Sequence, residues 1–197
     1  MFDRLTPTNK ALILANVGVF VLWLLLGNSL VSFALWPPQS GVFRPWQLLT
    51  YGFLHVGWLQ LFFNMFALFL FGSEVERLYG ARRYLVYYVA CIVGGALMCV
   101  IIVTAAKLPP SPAIGASGAV FGLLLSYGMA YPRREIIIFP IPVPIQAWIA
   151  VALYAVAELY LGISSIGGVS PFTSLGGMAT GFVMIRYWQA KQNRPRR

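Results

Sequence analysis

The sequence predicts an all-α integral membrane protein, a single domain over residues 1–197 built as a bundle of six transmembrane helices. Three observations predict it. Hydrophobic residues make up 59% of the chain and charged residues only 10%, whereas soluble domains carry about 25% charge. Six apolar stretches follow one another, separated by proline and glycine clusters. The basic residues then fall on one side of the topology that six spans impose. A transmembrane helix takes about 20 apolar residues, so six take roughly 120 and leave room for short loops only.

The first span runs from Ala11 to Gly27. Arg4 and Lys10 precede it as they would a signal peptide, but its apolar run is too long and no small-x-small site follows closely, so a retained helix is expected. The second runs from Trp46 to Phe71 and the third from Tyr84 to Ala106. The fourth covers Gly115 to Tyr131, the fifth Val143 to Leu161 and the sixth Phe172 to Trp188. Pro37, Pro38 and Gly41 break the chain before the second, and Pro109, Pro110 and Pro112 before the fourth. Pro132, Pro140, Pro142 and Pro144 follow the fourth, and a Gly/Ser cluster from Gly162 to Ser170 precedes the sixth. Proline lacks the amide donor that a helix in lipid must use. The first connecting segment, Ser29 to Pro45, carries Phe33, Leu35, Trp36 and Phe43. It is too apolar for a free loop and too broken to span, which suits the membrane interface.

Net charge is +9. In a soluble protein that excess would point to nucleic acid; in a membrane protein it reports orientation. Six spans place Arg4, Lys10, Arg77, Arg82, Arg83, Arg133, Arg134, Arg186, Lys191, Arg194, Arg196 and Arg197 on one side, against Arg44 and Lys107 on the other. That is 12 against 2, so both termini are expected in the cytoplasm. No nucleic-acid partner is expected. The basic tail from Lys191 is read as a solvated stop signal or a contact with anionic lipid. Cys91 and Cys99 share one apolar run and read as buried small hydrophobes. With one histidine in the chain, no metal or other cofactor is expected.

Few residues remain that could do chemistry. The fourth span opens Gly115-Ala116-Ser117-Gly118, with Gly122 four residues after Gly118. Two readings are open. The glycines allow close helix packing, or Ser117 is a nucleophile beside backbone N–H groups, around Ala116, that stabilise an oxyanion. The sixth span carries Ser174 ahead of Gly176 and Gly177, with Gly181 at the same four-residue spacing. These two spans run parallel, so their glycine faces are expected to touch and to bring Ser117 and Ser174 to similar depth. Gln60 and Asn64 share a face of the second span as interhelical glue or as donors to negative charge. His55 reads as a structural hydrogen-bonder, and Glu158 is the one acid deep in an apolar run.

The pattern resembles the rhomboid family of intramembrane serine proteases over nearly the whole chain. The resemblance is carried by Trp46, the His55 to Asn64 segment, Gly72-Ser73-Glu74-Val75-Glu76-Arg77, Gly115-Ala116-Ser117-Gly118, and Leu175-Gly176-Gly177-Met178 through Gly181. It implies a six-helix bundle whose water-accessible site opens to the outer side. It also implies a serine that attacks a peptide bond in or near a transmembrane segment, with a histidine base just before the Gly-Gly of the sixth helix. Ser117 matches the nucleophile, but Ser174 occupies the base position. The family's oxyanion-binding histidine and asparagine read Gln60 and Asn64, and Pro171 stands where a further histidine is common. Gln60 can still donate through its amide. Ser174 cannot act as a base near neutral pH, and an unactivated hydroxyl is a poor nucleophile.

The expectation is therefore a catalytically defective member or a pseudoprotease that binds transmembrane clients beside the fifth span. The alternative is an active endopeptidase with an atypical base, drawn from His55, Lys107 or Glu158. A channel or transporter is disfavoured, because no span carries several charges and no inverted repeat is visible. Partners would be transmembrane substrates or clients and membrane lipid. The compartment expected is the bacterial inner membrane.

Overall fold

The computed structural model describes residues 5–138, 141–164 and 170–192. Helix α1 spans Pro7–Leu26. A connecting segment with 3₁₀ turns at Gly27–Phe33 and Pro38–Ser40 leads to the short α2, Gln47–Thr50. After a 3₁₀ turn at Tyr51–Phe53 the chain straightens, then α3 (Trp58–Ala67) passes through a π turn, Leu68–Gly72, into α4 (Ser73–Tyr79). Next come α5 (Ala81–Ala105) and α6 (Ser117–Ala130). A hairpin of β1 (Glu135–Ile138) and β2 (Ile141–Gln146) joins α6 to α7 (Ala147–Ile163), and α8 covers Ser170–Gln192.

Among the described residues, three helical segments are long and apolar enough to cross a membrane: Pro7–Leu26, Trp58–Tyr79 and Ala81–Ala105. Ser117–Ala130 is shorter. α6 has 14 residues, which rise about 21 Å at 1.5 Å each, less than the roughly 30 Å of a bilayer's hydrocarbon core. Most of α6 is buried. The irregular backbone that enters it is covered by protein at Ala113, Gly115 and Ala116, which is where a membrane protein tolerates it.

Two segments differ from the sequence expectation. The second span does not run unbroken from Trp46. Leu54 is extended, with ψ 150°, and so is Gly57, with ψ 167°, so the crossing helix begins at Trp58 and continues to Tyr79. The fifth begins at Ala147 rather than Val143, because 141–146 pair with 135–138 as an antiparallel hairpin, Glu135 opposite Gln146 and Ile136 opposite Ile145. Pro142 and Pro144 cannot sit inside a helix but are tolerated in a two-stranded sheet, where every strand is an edge. The helices at the other four expected positions agree to within four residues at each end. α8 starts at Ser170, with Pro171 in its first turn, where a missing N–H costs nothing.

α5 runs through the middle of the molecule and touches α1, α2, α4, α6 and α8. Its Tyr84, Tyr87, Tyr88, Cys91, Ile92 and Ala96 are fully buried. Two of the tyrosine hydroxyls are satisfied by neighbouring elements: Tyr87 donates to the Gly122 carbonyl at 2.7 Å and Tyr84 to Asn9 Oδ1 at 2.7 Å. Cys91 and Cys99 are both buried. The first connecting segment is more ordered than a loose interfacial loop. Leu35 forms a two-way backbone bridge with Ala113, and the buried Gln47 amide bonds to the Ser32 and Val42 carbonyls and to the Trp36 N–H. Phe33, Val42 and Trp46 remain exposed on it.

Candidate functional site

α5, α6 and α8 meet through glycine, and this contact places the two candidate serines. A Cβ on Gly177 would run into the backbone of Gly118, and one on Gly95 would lie 2.6 Å from the Thr173 carbonyl oxygen. The glycine faces expected to touch do touch. Helices at this distance exclude side chains larger than hydrogen. The N-terminal turns of α6 and α8 consequently lie side by side.

Ser117 is the first residue of α6 and is half-buried. The first N–H groups of any helix have no acceptor within it. Those of Ser117, Gly118 and Ala119, just beyond Ala116 at the N-cap, are therefore oriented out of the helix end. Gly115 delivers the chain into this turn with φ +134°, and its N–H bonds to the Tyr51 carbonyl at 3.0 Å. A side chain there would also strike Gln60 Nε2, so glycine is required on both grounds.

Ser117 Oγ lies 3.1 Å from Thr173 Oγ1. Spacing in the sequence does not single out Thr173. Its neighbour Ser174 is fully buried in the same first turn of α8. A threonine hydroxyl has no more basicity near neutral pH than a serine hydroxyl, so this pair cannot relieve Ser117 of its proton.

Gln60 and Asn64 sit on α3 as expected, but both are engaged. Gln60 Oε1 accepts the Val56 N–H at 3.0 Å, and Gln60 Nε2 donates to the Ile114 carbonyl at 2.8 Å. The side chain thus ties the start of α3 to the residue before Gly115. Asn64 Nδ2 lies 3.1 Å from His55 Nε2. Each amide nitrogen carries two hydrogens, and these bonds use one on each. His55 is fully buried in the extended link before α3, and its Nε2 is committed to Asn64. Lys107 is exposed in the turn after α5. Glu158 lies within α7, but its side chain falls outside the described residues.

A gap opens beside this cluster. It is a cavity of about 330 Å³ walled by Phe63, Ala67 and Leu70 of the α3–α4 segment, Phe121 and Leu124 of α6, and Tyr154 of α7, with Asn64 at its edge. α7 packs on α6 and α8 and stands across this cavity from α3.

The rhomboid domain family model matches residues 42–190. Rhomboid protein 1, mitochondrial, of Saccharomyces cerevisiae is 32% identical over 143 residues, covering 71% of this chain and 41% of that protein. RHOMBOID-like protein 4 of Arabidopsis thaliana is 35% identical over 139 residues, covering 71% and 33%. Rhomboid protease GluP of Bacillus subtilis is 38% identical over 97 residues, covering 49% and 16%. The chain thus spans less than half the length of each of these relatives. With mitochondrial and plant proteins among them, the relatives lend no support to the bacterial inner membrane as the compartment.

Proposed function

The chain belongs to the rhomboid family of intramembrane proteases, and from that premise we propose that it is a six-span member whose proteolytic site lacks a working base and whose role is to hold transmembrane segments of other proteins. One observation carries the reading: the hydroxyl in the nucleophile position, Ser117, is paired with the hydroxyl of Thr173, and the base position holds Ser174. In a serine-protease triad, loss of one member costs several orders of magnitude in rate. The bundle itself supports retention of a client. The gap between α3 and α7 is walled by apolar side chains, and the shape and chemistry of that opening suit an apolar helix. The basic residues, 12 against 2, favour both termini in the cytoplasm.

The test restores the base. Ser174→His should create labelling by a fluorophosphonate probe and cleavage of a transmembrane substrate, both lost on adding Ser117→Ala. The unaltered chain should show at least about a thousandfold less of either. Ser117-dependent cleavage by the unaltered chain at a rate comparable to Ser174→His would overturn the reading and favour an active endopeptidase with another base. Retention of a crosslinkable transmembrane segment at α3 or α7 by the unaltered chain, without cleavage, is the expected companion result.

A further inference from the structure

The end of the bundle where α8 finishes and α5 begins holds a cavity that neither the serine pair nor the gap beside α7 uses. Its volume is about 330 Å³, and its walls include Leu78 and Tyr79 of α4, Arg83 of α5, Ala130 of α6, and Trp188 and Gln189 of α8. One wall is a rigid aromatic platform. The Tyr79 hydroxyl lies 2.8 Å from Ser126 Oγ, and Tyr87 donates to the Gly122 carbonyl, so α6 holds both rings. Trp188 packs edge-on against Tyr79 at 5.1 Å between ring centres and lies 6.1 Å from Tyr87. The Arg83 guanidinium carbon sits 5.9 Å from the centre of the Trp188 ring, a contact that holds the cation and uses none of its five donors. Among the described residues Arg83 forms no ion pair and no hydrogen bond. The acids of α4 are engaged elsewhere, Glu74 with Arg77 and Arg134 and Glu76 with the start of α1. No residue lining the cavity is acidic. Arg82, next to Arg83, and Lys191, one turn beyond Trp188, are exposed and add positive charge to this end of the bundle.

We propose that this cavity binds the headgroup of one anionic phospholipid from the leaflet around this end of the bundle. That leaflet is the cytoplasmic one in the orientation that the basic residues favour. The phosphate would lie against the Arg83 guanidinium and the Gln189 amide, and the glycerol and first methylenes against Leu78 and Ala130. Charge complementarity selects this occupant, since the cavity offers an arginine with no counter-ion and a phosphodiester brings one negative charge. The setting agrees with it. Tryptophan and tyrosine rings favour the headgroup level, and basic pockets between transmembrane helices on the cytoplasmic side take anionic headgroups. A zwitterionic lipid carries the same phosphate, but its ammonium would meet like charge from Arg82 and Lys191. An acidic peptide would satisfy Arg83 and leave the apolar wall, where Leu78 and Ala130 are exposed, without a partner. The inference holds whether or not Ser117 acts on peptide bonds.

The experiment is native mass spectrometry of the full chain released from detergent, with equal amounts of phosphatidylglycerol and phosphatidylcholine of matched acyl chains. One phosphatidylglycerol per chain should be retained, preferred about fivefold, the factor that one basic residue at the headgroup level supplies. Arg83→Gln should bring the preference close to parity. Arg133→Gln, which removes an exposed charge outside the cavity, should leave it unchanged. Ala130→Trp, which places a ring at the cavity wall, should reduce retention of both lipids. The melting temperature of each variant is measured alongside. Equal retention of the two lipids by the parent chain would overturn the proposal, as would a preference indifferent to Arg83→Gln in a folded variant. So would an equal loss in Arg133→Gln, which would trace the preference to total charge. Displacement of phosphatidylglycerol by an equal concentration of oligoglutamate would overturn it in favour of an acidic peptide.

Discussion

Gly177 leaves no room for a methyl group, because a Cβ there would occupy the space of the Gly118 backbone in the neighbouring helix. The clash is with main chain, which cannot swing aside as a side chain can. Gly177→Ala should therefore cost about 2–3 kcal/mol or prevent assembly, at the upper end of what overpacking a close contact costs. Gly18 offers the contrast within α1, since nothing lies within 4 Å of the place a methyl group would take. Gly18→Ala should be neutral or stabilise by up to about 1 kcal/mol, through helix propensity alone. Unfolding of both variants in detergent measures the difference, and equal melting points would show that the α6–α8 contact is not a tight one. The same contact explains how much of the site is legible in the sequence. Ser117 and Ser174 stand out by their spacing to Gly118 and to Gly176-Gly177. Thr173 as the partner of Ser117 does not, because the rotation of α8 about its axis decides which first-turn hydroxyl faces α6. That rotation is set by the backbone contacts of Gly177 and of the Thr173 carbonyl, which a linear sequence does not display.

α1 is capped by a residue from elsewhere in the chain. Its N-cap, Thr6, makes no capping bond of its own to the helix. Instead the Glu76 carboxylate on α4 accepts the Thr8 N–H at 3.2 Å, the Asn9 N–H at 2.7 Å and the Thr6 hydroxyl. Negative charge at a helix N-terminus also interacts favourably with the macrodipole. The π turn at Leu68–Gly72 contributes from the other side, where the Leu68 carbonyl accepts from Asn9 Nδ2 at 2.9 Å. Glu76→Gln keeps the shape but removes the charge and turns an N–H₂ toward N–H donors. It should cost about 2 kcal/mol, the scale of hydrogen bonds to a buried charged group, whereas Thr6→Ala, which loses the hydroxyl bond to Glu76, should cost about 1 kcal/mol. Thermal unfolding checks the ranking, and a Glu76→Gln protein as stable as the parent would remove the cap from the account. The elements themselves are largely legible, since long apolar runs closed by proline leave helix as the economical reading. The interruption at 54–57 is not, because Leu54, His55 and Val56 are as apolar or as buried as the helix that follows. The break there answers to side-chain bonds reaching back from α3, Gln60 to the Val56 N–H and Asn64 to His55, rather than to composition. The hairpin at 135–146 is hidden for a related reason: its isoleucines suit a short buried helix as well as a strand.

At the scale of the whole molecule, hydropathy alone finds three crossings among the described residues, and the distribution of charge argues for six. Burial bears on the difference. A helix surrounded by protein need not be long or uniformly apolar to lie within a bilayer, and α6, 14 residues long and mostly buried, is that case. The charge argument is then independent of helix length, because an odd number of spans would scatter the basic residues over both faces instead of dividing them 12 to 2. It can be tested without altering any site residue. The native cysteines give little background, since Cys91 and Cys99 are 0% and 5% exposed. Ser111→Cys, exposed between α5 and α6, and Gln189→Cys, exposed near the end of α8, report on opposite faces. In spheroplasts expressing the full chain, a membrane-impermeant maleimide should label Ser111→Cys directly and Gln189→Cys only after permeabilisation. Labelling of both from outside would mean an even number of crossings between them, where α6, α7 and α8 should supply three. Labelling of Gln189→Cys alone would mean an inverted bundle, with Ser117 near the cytoplasmic face. Either result would remove the orientation from which the proposal of an outward-opening serine site proceeds.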